Sequence, residues 1–135
     1  MNNPLVQEEL TRSVIGCFFE VYNNLGFGFL ENAYVIALTR ELKAKGHRVE
    51  REVSVDIAYK GEFLTHHRLD MLVDGTVVVE VKSSATIGPE ASRQLYNYLR
   101  ATNLEVGLLL HFAPEKAKLY REIHTTDRKS VRPIG

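Results

Sequence analysis

Residues 70–82, Asp-Met-Leu-Val-Asp-Gly-Thr-Val-Val-Val-Glu-Val-Lys, constrain the fold more tightly than any other stretch of the chain. Asp74-Gly75 is a favoured two-residue turn between antiparallel strands, because Gly and Asp tolerate positive φ. Val77, Val78 and Val79 are β-branched, and their stiff χ1 suits a strand. The segment therefore predicts the end of one strand, a tight turn and a second strand. Three charged residues interrupt it. Side chains at i and i+2 share a face of a strand. Glu80 and Lys82 thus project together, and the preceding strand can set Asp70 beside them. Two carboxylates and an ammonium on rigid strands suit a divalent metal ion with a cationic helper. The competing reading is a solvated cross-strand pair, since a Glu-x-Lys triplet on an exposed strand is common. The context argues for more. Glu80 follows three valines, and Asp70 lies between Leu69 and Met71-Leu72-Val73. A carboxylate in such surroundings needs a cation, a metal or several donors.

A chain of 135 residues predicts one domain, residues 1–135, with flexible ends at about 1–4 and 126–135. Residues 5–23 place Leu10, Val14, Phe18 and Tyr22 at helical spacing. Asn23-Asn24-Leu25-Gly26 breaks that helix. A second helix is predicted over 30–45, with Leu30, Tyr34, Ala37, Leu38 and Leu42 on one stripe and Gly46 as its stop. Glu31 falls in its first turn, where a carboxylate favours the helix dipole. From Val49 the period changes from helical to alternating, which predicts a strand over 49–57. Further strands are expected over 63–73 and 76–82, completing a three-stranded meander. A helix over 90–101 and an unbroken apolar strand over 105–112 follow. That strand reads as covered on both faces and, after a helical crossover, as parallel to its partner. Residues 116–124 predict an edge strand. The order is ααβββαββ, an α/β (α+β) fold with a mixed sheet of four or five strands.

Lysines plus arginines number 17, as do the acids, so the net charge is zero. Phosphate neutralisation drives much nucleic-acid affinity, so this balance weighs against tight standalone DNA binding. It does not exclude an enzyme whose acidic site offsets basic residues elsewhere. The basic tail at Arg128, Lys129 and Arg132 reads as solvated. Cys17 stands alone, so no internal disulfide forms, and its apolar helical setting makes it a small core residue. A reducing cytoplasm is the default location. Met-Asn-Asn-Pro lacks the regions of a signal peptide, and the apolar runs are too short to span a membrane. His66 and Arg68 share the Asp70 face on strict alternation and could meet substrate phosphate. A polar outer strand segment is the simpler reading of them. His47, His111 and His124 are scattered, and no zinc spacing is present.

The order of elements, with Asp70 followed by Glu80-Val81-Lys82, resembles the PD-(D/E)XK nuclease superfamily. More narrowly, Gly28-Phe29-Leu30-Glu31-Asn32-Ala33-Tyr34 resembles the motif that names its GxxExxY branch. The likeness continues through residues 68–73, 79–82 and 94–99 and covers about 14–123. The superfamily's Pro before its Asp is replaced by Leu69. The resemblance implies a restriction-endonuclease-like core and a nuclease using Mg²⁺ or Mn²⁺. It implies that Asp70, Glu80 and the Val81 carbonyl hold the metal and that Lys82 assists the attacking water. It also implies Glu31 as an accessory acid and Gln94 as a helix residue beside the site. Gly28 and Tyr34 belong to the naming motif, and core packing explains Tyr34 as well. The implied partner is nucleic acid. A catalytically silent nuclease-fold module that binds nucleic acid or a protein, or associates with its own copies, is the alternative. A buried ion-pair network of Glu31, Glu80 and Lys82 is a third reading.

Overall fold

The computed structural model describes residues 7–125. Two helices come first, α1 at Glu8–Leu25 and α2 at Glu31–Ala44. Three strands follow: β1 at Val49–Tyr59, β2 at Glu62–Val73 and β3 at Val77–Ser83. The chain then runs through α3 at Glu90–Arg100, β4 at Val106–Phe112 and β5 at Ala117–Ile123. The strands form one sheet in the order β1-β2-β3-β4-β5. β3 and β4 are parallel and the other neighbours antiparallel. A parallel pair needs a crossover, and α3 supplies it. This is the predicted mixed α/β fold, in the predicted order.

The sheet separates two apolar layers. Met71, Val73, Val77, Val79 and Val81 pack against Val14, Phe18, Tyr34 and Leu38 of α1 and α2. Leu72, Val78 and Leu109 pack on the other side against Leu95, Tyr98 and Leu99 of α3. Consecutive valines of β3 thus enter opposite layers, so the strand reads as an unbroken apolar run. All seven residues of β4 are buried for the same reason. A side chain at Gly107 would meet Leu95 Cδ1 at 2.7 Å, so the glycine lets α3 lie close on β4. Cys17 is fully buried in the first layer, and burial pushes its thiol up. Among the described residues no helix is long and apolar enough to cross a membrane.

Two details depart from simple alternation. Thr76 belongs to the β2–β3 turn, not to β3. Its N–H bonds to the Val73 carbonyl at 3.0 Å, closing a turn with Asp74 and Gly75 at φ 52° and 68°. The β1–β2 hairpin also changes face along its length. Val49, Met71 and Val73 pack toward α1 and α2. Val53, Val55, Ile57 and Leu69, of the same parity, pack in the α3 layer. Glu52, at φ 56°, marks the change. His66 and Arg68 lie beyond it and are exposed.

Candidate active site

The β2–β3 ladder ends at Met71 opposite Val79. One residue further, side chains replace main-chain pairing. Asp70 Oδ2 accepts the Val81 N–H at 2.7 Å, and Glu80 Oε2 accepts the Asp70 N–H at 3.2 Å. Each acid is pinned through one oxygen. Asp70 Oδ1 and Glu80 Oε1 accept no hydrogen bond from the described residues. A strand residue directs its N–H and C=O to the same edge. The Val81 carbonyl therefore opens toward the gap that β2 has left. Two carboxylate oxygens without hydrogen-bond partners and this carbonyl thus belong to residues at the point where β2 and β3 part.

The electrostatics follow from that crowding. Burial, and then the negative charge of Asp70, push Glu80 up to about 8. The Asp70 N–H and the Lys82 ammonium act in the opposite direction, and Glu31 adds to the rise. Without a cation Glu80 retains its proton near neutral pH. Mg²⁺ and Mn²⁺ favour oxygen ligands, and Mg²⁺ keeps several waters while needing only one or two carboxylates. The donor set fits such an ion. No group of three or more His, Cys, Asp or Glu side chains suited to metal binding occurs among the described residues. A closed zinc site is therefore not built here.

Lys82 is half-buried on the same face of β3 as Glu80. It forms no ion pair with Asp70 or Glu80 among the described residues. The ion-pair network, which required direct Lys82 contacts to the acids, is not what the fold assembles. His111 sits beside Lys82 in the parallel register. It is buried, and its Nε2–H donates to the Ser84 carbonyl at 2.8 Å. That bond leaves Nδ1 as an acceptor, and Nδ1 has no partner. Orphaned buried acceptors are uncommon, and this one belongs to the residue paired in register with Lys82.

His67 and Tyr98 complete the wall on the α3 side. Their rings stack with centroids 4.2 Å apart. Burial lowers the His67 pKa, with Asp70 opposing and Lys82 adding to the fall. Burial, then Glu80, push the Tyr98 hydroxyl up to about 12. Both rings thus sense the acid pair. His67, Tyr98 and His111 were not singled out from the sequence. Their places depend on the face change in β2, the docking of α3 and the β3–β4 register.

The GxxExxY-like segment acts as a clamp. Tyr34 is fully buried and stacks on Phe112 at 3.9 Å. Its hydroxyl donates to the Gly26 carbonyl at 2.5 Å and accepts the Phe29 N–H at 3.2 Å. Ser83 Oγ donates to the Phe29 carbonyl at 2.5 Å. Gly28, at φ 120°, supplies a backbone conformation that other residues rarely adopt. The loop is thereby tied to the end of β3. Glu31 follows it as the first residue of α2, with Oε2 3.4 Å from the Ser83 N–H. The fold thus brings Asp70, Glu80, Lys82 and Glu31 to one end of the sheet. Gln94 is exposed on α3 and makes no hydrogen bond to these groups. Arg68 lies 3.5 Å from Glu52 at the surface, and His66 is exposed.

Residues 8–123 match the family model described as the PD-(D/E)XK nuclease superfamily. The chain belongs to this superfamily. Its fold is also similar to that in a solved structure, "Crystal structure of SSO0001", with a TM-score of 0.56 and 22% sequence identity. That likeness covers 74% of this chain and 52% of the other, so the chain spans about half the length of that protein. No curated protein matches the chain. Within a PD-(D/E)XK fold, Asp70 and the Glu80-Val81-Lys82 triplet occupy the end of the central hairpin where β2 and β3 part.

Proposed function

We propose that this PD-(D/E)XK protein, of the GxxExxY branch, is a nuclease that hydrolyses phosphodiester bonds of DNA or RNA with Mg²⁺ or Mn²⁺. The observation that carries the reading is the crossed pinning of Asp70 and Glu80. It leaves one oxygen on each acid without a hydrogen-bond partner, next to Val81, where β2 and β3 part. A bound divalent ion would activate water and neutralise charge on the phosphoryl group. Asp70 and Glu80 hold the ion, and their backbone bonds keep both carboxylates oriented before it arrives. Lys82 extends from the same rigid strand, free of an ion pair with either acid, to orient the attacking water or stabilise developing negative charge. Glu31, anchored at Ser83, adds an acid at the mouth of the site.

The test is cleavage of single- and double-stranded DNA and RNA by the purified chain with Mg²⁺ and with Mn²⁺. We expect cleavage that Asp70→Ala and Lys82→Ala abolish while both variants stay folded. A folded wild-type chain that binds neither ion and cuts none of these substrates would overturn the proposal and leave the silent binding module.

A further inference from the structure

The opposite end of β3 carries a second polar constellation that the metal-site chemistry does not use. Asp74 lies in the β2–β3 turn, His47 between α2 and β1, and Ser13 on α1. Asp74 Oδ2 is 2.8 Å from His47 Nδ1, and His47 Nε2 is 2.8 Å from Ser13 Oγ. The other Asp74 oxygen accepts the Arg48 N–H at 2.7 Å. That bond, and then His47, hold the Asp74 carboxyl below the usual range. A carboxylate only accepts, so Nδ1 carries the ring proton. In the neutral ring, Nε2 is then the acceptor for the Ser13 hydroxyl. This is the nucleophile, base and orienting acid of a Ser-His-Asp triad, which is recognised by geometry rather than by sequence order.

Two further observations separate it from ordinary tethering. A serine inside a helix commonly turns its hydroxyl back on a carbonyl of the preceding turn. Thr11 does so to Glu8 and Thr39 to Val35, whereas Ser13 reaches across to His47. The three residues also open on a cleft of about 800 Å³, lined in addition by Glu9, Leu10 and Lys45. All three are only partly buried, so a ligand in that cleft can reach them.

We propose that Ser13, His47 and Asp74 form a second site, an acyl-transfer centre for small uncharged or cationic carboxylic esters. Glu9 and Asp74 on the wall disfavour anionic substrates. Ser13 Oγ bonds to the ester carbonyl carbon as its proton passes to His47 Nε2. The bond from that carbon to the alcohol oxygen then breaks, and the alcohol leaves with the proton. Water repeats the sequence on acyl-Ser13, releasing a carboxylic acid and restoring the hydroxyl. Asp74 stays ionised and stabilises the imidazolium in both halves. Among the described residues of the wall, Lys45 is the cation that would meet charge on the carbonyl oxygen.

The test uses the full chain with p-nitrophenyl acetate and, separately, a fluorophosphonate. Nitrophenolate release is followed, and the modified peptide is mapped by mass spectrometry. We expect an acetyl or phosphonyl group on Ser13, lost in Ser13→Ala and kept by the surface control Ser54→Ala. Asp74→Asn is the sharper variant. Asn tolerates the left-handed backbone at position 74 and still accepts from Arg48. Its amide, however, donates toward His47 Nδ1 and selects the wrong tautomer. Labelling should fall at least about tenfold, toward the ~10⁴-fold loss known for the same change in a serine protease. Circular dichroism establishes that each variant is folded. No adduct on Ser13 in the folded wild type, acetylation confined to lysines, or Asp74→Asn labelled at the wild-type rate would each overturn the proposal. None of these outcomes depends on cleavage at the Asp70–Lys82 site.

Discussion

Asp70 and Glu80 hold each other's strands together at the point where β2 and β3 part. The Glu80 carboxylate takes the Asp70 N–H, and the Asp70 carboxylate takes the Val81 N–H next in sequence to Glu80. Two like charges are brought together by bonds to the backbone of the opposite strand. This arrangement favours a bound proton or cation, and it makes the site measurable through stability as well as through activity.

The pH dependence has a definite sign. The Glu80 pKa rises on folding from an ordinary 4.5 to about 8. Its protonated form therefore favours the folded state. That contribution is complete below about pH 4.5 and is lost as pH rises through about 8. Glu80→Gln should flatten this part of the profile. Above pH 8 the variant should exceed the wild type by on the order of a few kcal/mol. Urea denaturation across that range measures it.

A divalent cation should reverse the high-pH loss. An ion that binds only the folded chain stabilises it by about 2.7 kcal/mol at a hundredfold excess over its dissociation constant. We expect Mn²⁺ to raise the wild-type melting temperature most strongly above pH 8, and to leave Asp70→Asn and Glu80→Gln nearly unmoved. An equal rise in all three proteins would place the ion elsewhere.

Tyr34 should be worth more than a core ring. Tyr34→Phe keeps the stack on Phe112 but strands the Gly26 carbonyl and the Phe29 N–H. We expect a loss of about 1–3 kcal/mol in denaturant unfolding. Faster hydrogen exchange should appear in residues 26–31 while the β4 amides stay protected.

Two glycines should respond oppositely to alanine. Gly28 has φ 120° and open space around it, so the penalty in Gly28→Ala comes from the backbone alone. It should exceed about 1 kcal/mol. Gly16 lies exposed within α1, also with open space. Gly16→Ala should stabilise by about 0.5–1 kcal/mol. Paired unfolding curves distinguish the two effects.

Much of the architecture was legible because burial writes itself into the residue pattern. The helical stripe around Val14 and Phe18 announced α1. The unbroken run Val106–Phe112 announced a strand covered on both sides. Gly75 and the valines after it announced the central hairpin. The limits appear where two elements meet. Alternation along β2 put His66 and Arg68 on the Asp70 face, but the left-handed backbone at Glu52 accompanies a change of face. His67, not His66, stacks beside the site. Gln94, the helix residue that the family likeness puts beside the site, is exposed on α3.

The sequence by itself determined the element order, the two apolar layers and the placing of Asp70, Glu80 and Lys82 on neighbouring strands. These follow from local periodicity and turn chemistry. Only the tertiary structure decided which atoms meet: the crossed bonds of Asp70 and Glu80, His111 beside Lys82, and the chain from Asp74 through His47 to Ser13. Those contacts join residues as much as 34 positions apart. They depend on strand register, on where a ladder stops and on how closely helices dock. These are properties of the packed chain as a whole, set by the sum of many burials, and no short stretch of sequence encodes them.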